Sequence, residues 1–233
     1  MAKPTVKYFT NLNTIKFADD FDEPLDDYAA IICNYSILKF SFGSMFNKSI
    51  NGLPNSLRHL IFGYSFNRVI ILSDSLTHLT FGYCFNQDIN LPNSLTHLTF
   101  CKNFNKLVIF PNYLTHLTFG YDFNQFILIP NSLTHLTFGR NFNKNIELPE
   151  NLLFIKMFQP SIEMVEKMPN HVKELCIYFD YCDVFRLENL PNSIEKLEIN
   201  NWNNNIFSVD WIVFPISLKY LKINNKEIQL NII

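Results

Sequence analysis

Five histidines, His59, His78, His97, His116 and His135, follow one another at intervals of 19 residues, four in Leu-Thr-His-Leu and the first in Leu-Arg-His-Leu. A row of imidazoles could ligate a transition metal, titrate near neutral pH, or contact a partner. Metal sites want about four ligands converging on one point, and a linear row offers two at most per ion without a carboxylate or thiolate. No metal and no cofactor is therefore expected. Adjacent imidazoles resist joint protonation, so acid should strain the row; a melting temperature unchanged between neutral and mildly acid buffer would rule that out. Beside the histidines run Thr80, Thr99, Thr118 and Thr137, with Thr77, Thr96, Thr115 and Thr134 just before them. A further column holds Tyr64, Tyr83 and Tyr121, interrupted by Lys102 and Arg140. Tyr, His and Arg on a rigid surface are residues that interfaces favour. The chain has no nucleophile elbow, phosphate loop, HExxH or carboxylate pair in an apolar setting. Each Ser of Asn-Ser-Leu is a repeated position rather than a singular one, so no catalysis is expected.

These columns need a frame that repeats every 19 residues, and so short a period marks a solenoid. Counting each unit from the Leu of Leu-Pro-Asn-Ser-Leu, apolar residues fall at positions 1, 5, 8, 10, 14 and often 18. Positions 5 to 10 read LxxLxL, the strand segment of a leucine-rich repeat. Alternation sends positions 8 and 10 into the core and positions 7 and 9, His and Thr, to the solvent side. Phe46, Phe66, Phe85, Phe104, Phe123 and Phe142 at position 14 should stack as an internal spine. Asn47, Asn67, Asn86, Asn105, Asn124 and Asn143 at position 15 should form a ladder of buried amides that satisfies the loop backbone of adjacent units. Losing one rung should cost about 1–3 kcal/mol. Pro at position 2 in eight units fixes φ and predicts an extended, irregular segment before each strand. Five of the six glycines, Gly43, Gly63, Gly82, Gly120 and Gly139, share position 11. Ala18 and Cys101 fill the same place, so the demand is for a small side chain under close packing rather than for positive φ.

Around the regular units the pattern wears. Residues 1–32 hold one degenerate unit with Leu12, Ile15, Phe17 and Phe21, then an acidic run from Asp19 to Asp27 suited to capping the open end. Residues 33–147 carry a second unit and then regular units starting at Leu53, Leu72, Leu91, Phe110 and Ile129. Residues 148–233 keep four looser units, from Leu148, Met168, Leu190 and Phe214, with a short helix expected over Ser161 to Lys167. This makes about eleven strands and one domain, 1–233. In the last units the outward positions turn charged: Lys173, Glu174, Glu195, Lys196, Glu198, Lys219 and Lys222.

The 233 residues are 48% hydrophobic and include 24 Phe, ample for a long core. A net charge of −2 gives no reason to expect nucleic acid. No run approaches 18 apolar residues, so no membrane span is expected, and the N-terminus has no signal-peptide pattern. Five cysteines without CxxC spacing suggest reduced thiols and a cytoplasmic compartment, which makes the sequons at Asn34 and Asn47 irrelevant.

Units reading Leu-Pro-Asn-Ser-Leu-Thr-His-Leu-Thr-Phe-Gly-Tyr-x-Phe-Asn-Gln resemble the FNIP (FGxxFN-motif) subfamily of leucine-rich repeats, common in social amoebae and giant viruses. The resemblance covers 33–147 strongly and the rest weakly. It implies a mainly β solenoid with short parallel strands on the concave face, few or no convex helices, and use as an interaction module. Some family members carry an F-box or kinase domain before the repeats; with no room for either in these 233 residues, no ubiquitin-ligase or kinase role is expected. The expected function is a non-catalytic scaffold binding an unidentified protein on the concave face. Two alternatives stand beside it. One is self-association through the terminal units, where Trp202, Trp211 and Ile233 supply apolar surface, and the other is binding of a sugar or small ligand along the His and Tyr columns.

Overall fold

The computed structural model describes residues 13–28, 32, 36–179, 187–201 and 212–230. Its frame is one twelve-stranded sheet in strict sequence order. The strands are β1 (Thr14–Lys16), β2 (Lys39–Ser41), β3 (His59–Ile61), β4 (His78–Thr80), β5 (His97–Thr99) and β6 (His116–Thr118). They continue with β7 (His135–Thr137), β8 (Phe154–Phe158), β9 (Glu174–Phe179), β10 (Lys196–Asn201), β11 (Tyr220–Ile223) and β12 (Lys226–Ile228). All neighbours pair in parallel except β11 and β12. The expectation of eleven repeats needs correction. Eight consecutive turns, β2 to β9, are described without a gap, and the twelfth strand is no repeat at all. There the chain reverses through Asn224 and Asn225, both at positive φ (46° and 64°), and lays β12 back along β11. Asparagine tolerates the left-handed region that such a tight turn requires.

The period of 19 leaves room for a strand and two corners, and helix is correspondingly scarce. Among the described residues it amounts to a 3-10 turn at Leu25–Tyr28, at the end of the acidic N-terminal run, the helical residue Ile32 and a short α-helix at Ile162–Glu166. Ser161 caps that helix through its hydroxyl, which accepts from the Met164 N–H.

Positions 5, 8, 10 and 14 form the core. Leu57, Leu60, Phe62 and Phe66 in one unit and their counterparts Leu114, Leu117, Phe119 and Phe123 in another are all buried. The position-14 rings do stack from unit to unit, at about 6 Å, but their tighter partner is the position-10 ring of the same unit. Phe100 and Phe104 lie 3.7 Å apart, whereas Phe104 and Phe123 lie 6.0 Å apart. The spine is thus a double column of rings.

The corners follow from three residue types. Pro at position 2 opens a hydrogen-bonded turn, its carbonyl accepting the N–H three residues on, as in Leu95 to Pro92 at 3.1 Å and Leu133 to Pro130 at 3.0 Å. The expected irregular segment is therefore a repeated β-turn with Asn and Ser at its centre, residues that favour turns. The Ser hydroxyl then donates to a carbonyl of the preceding unit, Ser94 to Leu76 and Ser132 to Leu114, both at 2.6 Å. Gly at position 11 sits where backbones meet. A Cβ on Gly120 would lie 1.7 Å from the Cys101 carbonyl oxygen. Close approach, not positive φ, explains the column; among the glycines only Gly52, outside the column, has a positive φ, at 76°.

Candidate functional site

The sheet brings the five histidines into one row. Parallel pairing puts His59 opposite His78, His78 opposite His97, His97 opposite His116 and His116 opposite His135. Each pair of rings stacks at 4.1 Å between centroids, with interplanar angles of 9° to 23°, and Phe154 extends the row beyond His135 at 5.8 Å. The rings are half-buried, because each covers its neighbour while an edge stays in solvent. Their orientation is fixed from behind. Thr77, Thr96, Thr115 and Thr134 hold Oγ1 2.9 Å from Nδ1 of the histidine that follows. The same hydroxyls reach the carbonyl one unit back, at 3.1 Å. Among the described residues no hydrogen bond engages Nε2 of the five.

Stacking disfavours charge on these rings. His97, in the middle, is pushed down to about 4, first by burial and then by the positive charges that His116 and His78 would carry beside it. Burial also lowers His59, aided by Lys39, and likewise His78 and His116. The centre of the row is therefore uncharged at neutral pH. No group of three or more His, Cys, Asp or Glu that could hold a metal occurs among the described residues.

Thr80, Thr99, Thr118 and Thr137 end their strands half-exposed, two residues beyond each histidine, and Ile61 takes their place in β3. The tyrosines are not on the strands. Tyr64, Tyr83 and Tyr121 stand in the turn just past Gly at position 11, at the rim of the sheet. Tyr64 and Tyr83 stack at 4.6 Å. Lys102 donates to the Tyr83 hydroxyl at 2.6 Å and lies 4.9 Å from that ring and 5.7 Å from Tyr121, which Arg140 approaches at 5.8 Å. The interrupted column is continuous, two stacked rings followed by cation, ring and cation in turn.

The asparagine ladder is present, with one correction. Each Oδ1 accepts the backbone N–H of the next asparagine, from Asn47 to Asn67, Asn86, Asn105, Asn124 and Asn143, at 2.9 to 3.2 Å. The amides are half-buried or, at Asn105 and Asn143, exposed rather than buried, since position 15 leaves the core as soon as Phe at position 14 has entered it. Asp22 is the first rung, its carboxylate accepting from the Asn47 N–H at 2.8 Å. It follows Phe21 as Asn follows Phe elsewhere, which is the signal that could have identified it. Hydrogen bonds from Lys48 and Asn47 hold that carboxyl below the usual carboxylate range. The Thr–His pairs leave no comparable signal, being readable only once strand and ring directions are known.

Trp202, Trp211 and Ile233 lie outside the described residues. Cys84, Cys101 and Cys176 are free thiols, the last pushed up to about 11 by burial. No described helix is long and apolar enough to cross a membrane.

The FNIP repeat model matches residues 46–84, 66–103, 104–129 and 127–158. No curated protein matches the chain. Among solved structures, it is similar to CroV588 of a giant virus, described as a novel circular LRR protein, with 37% identity and a TM-score of 0.62 over 81% of this chain and 33% of that one. It is also similar to YopM from Yersinia enterocolitica WA-314, with 18% identity and a TM-score of 0.42 over 79% of this chain and 50% of that one. The chain thus spans about a third of the first and half of the second. Repeats that match in register and a solenoid built from them make this an FNIP-repeat protein of the leucine-rich-repeat class.

Proposed function

We propose that the protein is a non-catalytic scaffold whose sheet face binds another protein through its His and Tyr columns. Leucine-rich-repeat scaffolds commonly serve protein interaction. The observation that carries the reading is the His row itself. Its rings are spaced evenly at 4.1 Å, fixed from behind by threonine, uncharged at its centre, and left with Nε2 unengaged. Such a surface is rigid before binding, so little conformational entropy is lost when a partner settles on it. The rim of tyrosines and cations adds side chains that anchor interfaces. Columns that repeat without a singular unit present a strip rather than a cleft, which suits a macromolecular partner better than a small substrate.

The test is affinity capture with the wild-type chain against a His97→Ala, His116→Ala, Tyr121→Ala variant, followed by titration of each protein captured. A captured partner should lose at least roughly 30-fold in affinity, the cost of a hot spot of about 2 kcal/mol. Equal affinity for both chains would move the interface off this face.

A further inference from the structure

The half of each turn that faces away from the sheet carries a patch more apolar than the units on either side of it, although Val69 and Ile71, 68% and 86% exposed, hold the same places two units before Leu107 and Ile109. In this back segment, alternate residues point in and out: Val108, Ile127 and Ile129 pack against the core, while Leu107, Ile109, Phe126 and Leu128 point outward. Ile109 and Leu128 are 91% and 92% exposed, and Leu107 and Phe126 are 70% and 69% exposed. The corresponding places in the flanking units are polar, Asp88 and Asn90 on one side and Asn145 and Glu147 on the other. A second departure falls at the same spot. The serine that donates to the preceding unit in the other regular units is here Tyr113, which gives up that bond and is 70% exposed. Four large apolar side chains on two adjacent units, with a tyrosine in the adjoining corner, form a contiguous exposed patch of the kind that marks an interface.

We propose that this patch is the contact through which two copies of the chain pair back to back. A second copy fits the patch by two-fold complementarity. The patch occupies two neighbouring units, so a two-fold axis lying between them in the plane of contact sets each unit against the other's counterpart. Leu107 then faces Phe126 of the other copy, and Ile109 faces Leu128. The flanking columns fall into place without a like-charge pair: Lys106 meets Gln125, Gln87 meets Lys144, Asp88 meets Asn145 and Asn90 meets Glu147. A lipid surface suits the patch less well, because the charges around it are of both signs, Asp88 and Glu147 against Lys106 and Lys144, the last 5.2 Å over the Phe126 ring. Pairing of this kind leaves both His rows outward, so a dimer would offer two sheet faces and bind a multivalent partner with avidity. The inference is independent of what those faces bind.

The experiment is sedimentation equilibrium of the full chain between about 1 and 100 μM, using Leu107→Lys, Phe126→Glu and the double variant. All four patch side chains are largely exposed, so folding should persist, and circular dichroism melting checks that it does. The wild type should be dimeric, and each single variant should raise the dissociation constant at least tenfold. The double variant should regain the dimer, because each new lysine then faces the new glutamate of the other copy across the axis. A wild type monomeric at 100 μM, or single variants that dimerise as well as it does, would overturn the proposal. A monomer that instead floats with anionic phosphatidylserine vesicles, losing them in the Phe126→Glu variant, would also overturn it.

Discussion

Units 53–147 and units 148–230 share one sheet and one register yet solve the same positions in opposite ways. In the first region position 7 is histidine stacked on histidine; in the second it is Phe154, which still continues the row, and then Glu174, Lys196 and Tyr220. At position 6, threonine gives way to Leu153 and then to Lys173, Glu195 and Lys219, with Glu195 bridging both lysines at 3.0 and 2.6 Å. Position 11 changes as well. A small residue there, glycine or Cys101, follows each three-residue central strand, whereas Phe158, Tyr178 and Asn200 occupy it in strands of five and six residues. Phe158 and Tyr178 stack at 4.7 Å within those longer strands. A solenoid turn can therefore close tightly over a bare backbone and fill its core with paired phenylalanines, or run on as strand and hold its surface by charge. The central region draws its order from uncharged rings, and the later one from ion pairs.

The comparison predicts unequal losses. Phe104→Ala should cost about 3–5 kcal/mol by urea unfolding, because a fully buried ring packed at 3.7 Å leaves a cavity that its neighbours cannot close. Phe158→Ala, at a half-exposed ring of the later region, should cost less than half as much. Equal losses would mean that the double column is not the central region's main support. Gly120→Ala comes next, at about 1–3 kcal/mol, since the new methyl must push the Cys101 carbonyl aside. Cys101 shows that the column can yield at one unit, so its replacement by glycine should be neutral or mildly stabilising.

Much of this is legible in the chain because a 19-residue period fixes everything that depends on position alone. Burial at positions 5, 8, 10 and 14, the in-register His row and the asparagine ladder all follow from counting. What counting does not supply is direction and depth. It groups Asn105 with its buried neighbour Phe104, but one step of chain carries the amide to the rim. It groups Tyr121 with the strand face because the residue recurs, but Gly120 turns the chain before reaching it. The pairing of Thr96 with His97 depends on ring rotation, which no spacing encodes. Leu107, Ile109, Phe126 and Leu128 read as ordinary strand-like apolar residues in the sequence, and only their exposure sets them apart. Asn105→Ala measures the correction: with the amide exposed, losing the acceptor for Asn124 should cost about 1 kcal/mol, the low end of the range for a stranded donor.

The smallest effects should separate the two regions most cleanly, through pH and salt. His97 titrates at about 4 in the folded chain and near 6.5 when unfolded, so the unfolded chain takes up its proton first. Stability from the neutral row is complete above about pH 6.5 and falls as pH drops from there toward 4. Glu195 titrates at about 2 when folded, held down by hydrogen bonds from Lys219 and Lys173, against an ordinary 4.5. Its contribution is complete above pH 4.5 and is lost only between there and 2. A melting curve followed over pH should thus show two windows. His97→Phe should flatten the upper one and Glu195→Gln the lower. The Glu195 pairs lie in solvent, so their effect is small and screened by salt; Glu195→Gln should lower the melting temperature slightly in dilute buffer and not at all in about 1 M NaCl. The upper window arises mainly from burial of stacked rings, which salt barely reaches, and should persist. If high salt erased both windows alike, the central row would be held by surface charge as the later units are, and the contrast between the regions would fail.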